Sequence, residues 1–171
     1  MKSVILTITV LLGLLFVPVI EMKSKRCHKR PTVGVPDDLR TSVHDFRGSK
    51  YTFVFTDKTI VEAKEYCLSM CGTLVEINNK EENQFIYSVI QERVVENWIF
   101  WIGLESRNGI NFEWQSKNTT ESNRFDDWKE GQPNDIGVDT CVYMWSLKWH
   151  DTYRSECQRN AESFICETRF D

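Results

Sequence analysis

Apolar and polar residues alternate along this chain in distinct regimes. From residue 4 to residue 20 apolar side chains run almost unbroken behind Met1-Lys2; a lysine ahead of an apolar core reads as a secretory signal peptide. From 21 to 46 apolar periodicity disappears. That stretch carries Lys23, Lys25, Arg26, Lys29, Arg30, Pro31 and Pro36 and reads as a basic linker or pro-segment, a solvated tether. From 47 to 171 the pattern becomes that of one folded domain.

Within the domain, Tyr51-Thr52-Phe53-Val54-Phe55 is β-branched and aromatic and predicts a strand. Thr59 and Glu62 are spaced as a capping box, and Ile60, Ala63, Tyr66, Cys67 and Met70 follow at helical spacing. Gly72 is expected to end that helix with a positive φ, and a strand is expected over 73–77. Asn79 and Glu82 repeat the capping pattern ahead of a second helix whose apolar face is Phe85, Ile86, Val89 and Ile90. Short strands are expected over 98–104, 110–114, 141–145, 147–151 and 163–168. Between Trp114 and Cys141 lies a long polar stretch, and irregular loops of that length inside a domain usually serve a function. Helices early and short strands late predict an α+β domain with a mostly antiparallel, twisted sheet.

Composition narrows the class. The chain has 171 residues, a net charge of -4, six tryptophans and six cysteines. This length suits one domain with its own core plus a leader and tether. The mild negative charge gives no basic face for nucleic acid. Cysteines behind a leader imply an oxidising compartment and structural disulfides. An uncleaved signal anchor is the competing reading of the N-terminus. The basic flank after the apolar run would then keep the domain cytosolic, against the cysteines, so secretion to the extracellular space is the expectation. Cys27 in the tether would bridge two chains into a homo-oligomer or pair with Cys71, and Cys71 is a bridge partner or a small buried thiol. Asn118-Thr119-Thr120 is a glycosylation sequon.

Candidate chemistry concentrates in 132–151: Gln132-Pro133-Asn134-Asp135, Asp139 and Trp149-His150-Asp151. Carboxamide and carboxylate oxygens gathered on one loop and the next strand suit a hard cation, above all calcium. Signatures of a serine hydrolase elbow, a His-Glu-x-x-His zinc site and a glycine-rich phosphate loop are absent from the sequence, so an enzyme is not expected.

Taken together, Trp101-Ile102-Gly103-Leu104, Phe112-x-Trp114, Trp128-x-x-Gly131-x-Pro133-Asn134, Asp139-x-Cys141, Trp149-x-Asp151, Cys157 and Phe164-Ile165-Cys166-Glu167 resemble a C-type lectin domain. The resemblance implies a C-type lectin-like fold with a long irregular binding loop. It also implies disulfides Cys67–Cys166 and Cys141–Cys157, worth about 4 to 5 and about 3 kcal/mol by loop entropy, and tryptophans that are mostly core. Calcium-dependent relatives hold one calcium with a Glu/Gln-Pro-Asn/Asp motif, a nearby acid and an Asn-Asp pair, and the vicinal hydroxyls of a sugar complete the coordination. Carried onto this chain, the implied metal ligands are Gln132, Asn134, Asp139 and Asp151, with His150 among the sugar-contacting residues and a cis bond at Gln132-Pro133. His150 stands where the family has asparagine, and imidazole is a poor calcium ligand. Gln132 also removes a carboxylate relative to the Glu form. Glu-Pro-Asn goes with mannose-like and Gln-Pro-Asp with galactose-like sugars, and Gln132-Pro133-Asn134 mixes the two. The expected function is a secreted lectin recognising glycans on microbial or cell surfaces. The competing reading, argued from His150, is a calcium-independent domain of the same fold that binds a protein partner.

Overall fold

A computed structural model describes residues 40–93, 98–116 and 125–170. The leader, Cys27 and Asn118 lie outside the described residues. The elements are β1 (Thr41–Phe46), β2 (Ser49–Lys58), α1 (Ile60–Ser69), β3 (Thr73–Leu74), α2 (Lys80–Arg93), β4 (Ile99–Ser106), β5 (Phe112–Trp114), β6 (Thr140–Trp145), β7 (Lys148–Tyr153), α3 (Arg154–Cys157) and β8 (Glu162–Arg169). The sheet runs β1-β2-β8-β4-β6-β7, with β3 beside β8 and β5 beside β4. β4 pairs with β8 in parallel while β2 pairs with it antiparallel, so the last strand is clasped between the first part of the domain and the second.

Successive residues of a strand face opposite sides, and here both sides are covered. Phe100, Ile102 and Leu104 of β4 join Phe53, Ile165, Val142 and Met144 in a core closed by Ile86, Val89 and Ile90 of α2. Trp101, Phe164, Val54 and Cys166 face the other way, onto Ile60, Ala63 and Cys67 of α1. Double coverage is why β4 reads as a continuous apolar run rather than an alternation.

The capping box at α1 forms as expected: Thr59 Oγ1 accepts from Glu62 N–H at 3.4 Å, and Glu62 Oε2 accepts from Thr59 N–H at 2.9 Å. Such a cap contributes about 1 kcal/mol. At α2 only half the box appears. Asn79 Oδ1 caps Glu82 N–H at 2.9 Å, while the Glu82 carboxylate takes the N–H of Asn78 instead.

The end of α1 differs from expectation. Cys71, not Gly72, adopts the positive φ of 61°. Gly72 is needed for a different reason: a Cβ there would lie 2.4 Å from the Glu167 carbonyl oxygen. The strand after it is shorter than expected: Val75 N–H still donates to the Ile165 carbonyl of β8 at 2.8 Å, but its own carbonyl turns to Gly103 N–H of β4 at 2.9 Å. Residues 41–46, read as tether, form β1 paired antiparallel with β2.

Cys67–Cys166 and Cys141–Cys157 are bridged, with Cα separations of 5.3 and 6.6 Å. Cys71 is disulfide-bonded too, with a partner outside the described residues, which removes the buried-thiol reading. The long bridge ties α1 to β8, and the short one ties the start of β6 to α3.

Candidate functional site

The loop before β6 is held from two sides. On one side, residues 127–129 lie along β7: Trp149 N–H donates to the Asp127 carbonyl and Lys129 N–H to the Trp149 carbonyl, each at 3.0 Å. Asp127 fastens this segment to α2 through Asn83 Nδ2 at 2.8 Å and the Tyr87 hydroxyl, and to β7 through Lys148. Burial pushes the Asp127 carboxyl up, but the hydrogen bonds from Lys148, Tyr87 and Asn83 outweigh it and hold the group below the ordinary aspartate range. On the other side, Gly137 N–H donates to the Asn108 carbonyl at 2.8 Å. Gly109 packs so closely that a Cβ would lie 2.0 Å from the Asp135 carbonyl oxygen, and its φ is 62°.

Between these supports, Gln132-Pro133 is cis, as expected, and the loop wraps the Asp151 carboxylate. Asp151 Oδ1 accepts from Asn134 N–H at 2.9 Å and Oδ2 from Asp135 N–H at 3.1 Å. Asp151 N–H in turn donates to Gln132 Oε1 at 3.2 Å. Gln132, Asn134 and Asp151 are therefore brought together, with Asp135 beside them. Asp151 is buried while Asn134 is exposed, so the group lies at the domain surface. Burial, and then the charge of Asp151, raise the carboxyl of Asp135 above its ordinary value. Two carboxylates that repel each other at one spot favour a cation there.

The other expected members stand apart. Asp139 accepts from Arg154 Nε at 3.1 Å and Nη2 at 3.0 Å, and Arg154 also reaches Glu105. Asp139 and Arg154 line a separate groove of about 670 Å³ with Glu105, Asn108 and Gln158. His150 is on the opposite face of β7 from Asp151. It is 7% exposed, with its ring stacked on Tyr143 at 5.3 Å and 11°. Burial, and then Lys129, lower its pKa, so the imidazole is neutral at pH 7 and its Nε2 has no hydrogen-bond partner. His150 belongs to an aromatic shelf, because the pleat that turns Asp151 toward the loop turns its neighbour away. Of the tryptophans near the loop, Trp149 is core as expected, whereas Trp145 is 41% exposed.

The residues fit calcium by donor chemistry: carboxamide oxygens of Gln132 and Asn134 and the carboxylate of Asp151 are hard donors. They fit it with little charge. Among the described residues no group of three or more His, Cys, Asp or Glu side chains converges as a metal centre, so the carboxamides are needed to complete any set. Sequence reading missed Asp135 as a neighbour of the ligand group, and missed Arg154 and Glu105 altogether. Asp135 was visible in the same oxygen-rich run; no sequence signal linked Arg154 to Asp139.

An open mixed sheet with helices on both faces, two bridged cysteine pairs and a cis-proline loop closing on Asp151 define a lectin-like binding domain. The family described as Lectin C-type domain matches residues 56–168, and the chain belongs to that family. It is 26% identical over 124 residues to a perlucin-like protein of Mytilus galloprovincialis, covering 71% of this chain and 77% of the relative. It is 32% identical over 127 residues to the hepatic lectin of Gallus gallus, covering 71% of this chain but 56% of that protein. The match to human C-type mannose receptor 2 covers 10% of the receptor. Among solved structures, human lithostathine superposes with a TM-score of 0.65 at 27% identity, covering 75% of this chain and 88% of that one. A cow CD23 carbohydrate-recognition domain determined in the presence of a GlcNAc2Man3 oligosaccharide superposes with a TM-score of 0.61 at 28% identity, covering 75% and 94%.

Proposed function

We propose that this domain binds glycans at the loop formed by Gln132, Pro133, Asn134 and Asp151, assisted by one calcium ion. The observation that carries the reading is the convergence of Gln132, Asn134 and Asp151 around the cis Gln132-Pro133 bond. A carboxamide offers an oxygen acceptor and an N–H donor side by side, so Gln132 and Asn134 can each address a sugar hydroxyl while turning the oxygen inward. Asp151 holds the loop backbone with its two oxygens and the Gln132 side chain with its own N–H. Calcium, when bound to Gln132, Asn134 and Asp151, supplies positive charge that draws hydroxyl oxygens. With a single side-chain carboxylate in the set, its affinity falls at the weak end of extracellular sites, in roughly the 10⁻⁴ to 10⁻³ M range.

The apolar leader and the bridged cysteines support a secreted protein that meets glycans on microbial or cell surfaces. The second reading, a calcium-independent domain that binds a protein partner, is favoured by the engagement of Asp139 with Arg154 and the burial of His150. Titration calorimetry with a GlcNAc2Man3 oligosaccharide, in calcium and in chelator, separates the two. The glycan reading predicts saturable binding that is lost in chelator and in Asp151→Ala. Absence of binding to that glycan and to a panel of others in calcium would hand the site to the second reading.

A further inference from the structure

We infer that Arg154 is an internal cation that holds Asp139 out of the calcium loop and thereby keeps the loop's metal affinity low; this rests on the reading that Gln132, Asn134 and Asp151 hold calcium. Asp139 sits at the end of the loop, directly before β6, and Arg154 opens α3 directly after β7. The two ends of the hairpin meet: Arg154 N–H donates to the Asp139 carbonyl at 2.8 Å, Nε and Nη2 donate to Asp139 Oδ1 at 3.1 and 3.0 Å, and Nη2 reaches the Thr140 carbonyl at 3.3 Å. Charge-assisted bonds from a planar guanidinium fix a carboxylate's direction as well as its charge. Lys148 does not substitute for it, since it is engaged with Asp127.

Glu105 shows that Asp139 is a real claimant on this cation. Glu105 is paired with Lys64 as well as with Arg154, whereas Asp139, among the described residues, pairs with Arg154 alone. Removing Arg154 therefore leaves Glu105 a cation and frees Asp139. A freed Asp139 stands five positions after Asn134 on the loop that carries the metal ligands, where it would add a second carboxylate to a set that now has one. Affinity rises with ligand charge count.

The test is a double-mutant cycle read by calcium calorimetry. Arg154→Ala is expected to tighten calcium binding by about tenfold. Loss of a nearby positive charge would by itself favour a cation, so the deciding quantity is the part of the gain that depends on Asp139. Asp139→Asn in the otherwise native protein is expected to change calcium affinity by less than about twofold, because the group is not a ligand there. In the Arg154→Ala background the same change is expected to cancel most of the gain. Arg154→Gln, which keeps the length and a donor, carries the same cycle where Arg154→Ala melts below the assay temperature. Calcium binding by the native protein with an additive cycle, or with a large loss in Asp139→Asn alone, overturns this inference and leaves the calcium reading standing. Calcium binding by none of the variants overturns both.

Discussion

Two clusters of acidic and amide oxygens stand in this domain, and the fold uses them in opposite ways. Under β8, Glu76 and Glu167 are 1% and 3% exposed. Glu76 accepts from Ser116 N–H and Oγ at 2.6 and 2.7 Å. Glu167 accepts from Ser49 Oγ and Arg169 Nε, each at 2.8 Å, and from Arg169 Nη2 at 3.2 Å. Ser116 and Ser49 come from segments that the cluster joins and Arg169 from β8 itself, so these oxygens are consumed by the fold. In the loop, Asp151 is also buried, but it is met by the backbone N–H groups of Asn134 and Asp135, and the side chains around it reach the surface. Buried carboxylates with a full set of partners fix geometry and leave nothing for a ligand. A carboxylate held by two backbone donors beside exposed amides is organised yet still addressable. The comparison separates acids that build the domain from acids available for binding.

Breaking the first cluster should have the largest effect on folding and the least on binding. Glu167→Ala strips Arg169, Ser49 and the Glu76 backbone of their acceptor and should cost about 3 kcal/mol in urea unfolding, with glycan and calcium affinities of the folded protein unchanged. An unchanged unfolding midpoint would show that the cluster is dispensable.

Asp127 sharpens the comparison because it lies between the two roles, building the loop's support without facing its ligand. Asp127→Asn should cost about 2 kcal/mol at pH 7. The folded pKa of Asp127 is depressed below its ordinary 3.8, so its contribution is fully present above the unfolded value and is lost as pH falls through the folded one. The stability gap between native protein and Asp127→Asn should therefore be flat from neutral pH down to about pH 5 and shrink below about pH 4. A gap that does not shrink on acidification below about pH 4 would contradict the assignment.

The smallest stability effect belongs to the loop itself. Asp151→Ala frees two backbone donors that water can reach and should cost about 1 kcal/mol. Its consequence should appear in binding and in faster hydrogen exchange of the Asn134 and Asp135 amides.

How much of this was legible in sequence follows the same division. Both helices, the apolar strands buried on two faces, the Thr59 and Glu62 cap and the order of motifs carry strong local signals, and the fold was readable from them. β1 was not, because its pattern is inverted: Ser42 is buried and Val43 is exposed, 5% and 42%, so apolar alternation points the wrong way on this edge strand. The left-handed residue at the end of α1 was misplaced because Gly72 looked like a cap, whereas its role is close approach to β8. The oxygen-rich run located the loop, yet the partition of its acids depended on a residue outside the run. Arg154 captures Asp139 through the geometry of the β6–β7 hairpin, which no spacing rule exposes. His150 was placed at the site by neighbourhood to Asp151, and the strand pleat separates the two.

The central claim is that Gln132, Asn134 and Asp151 form the glycan-binding loop. Calorimetric titration of a GlcNAc2Man3 oligosaccharide into the native domain, Asp151→Ala and Glu167→Ala, each verified as folded and in calcium, tests it most directly. The account predicts saturable binding by the native domain and by Glu167→Ala, and none by Asp151→Ala. Undiminished binding by Asp151→Ala would contradict it and move the site elsewhere on the domain.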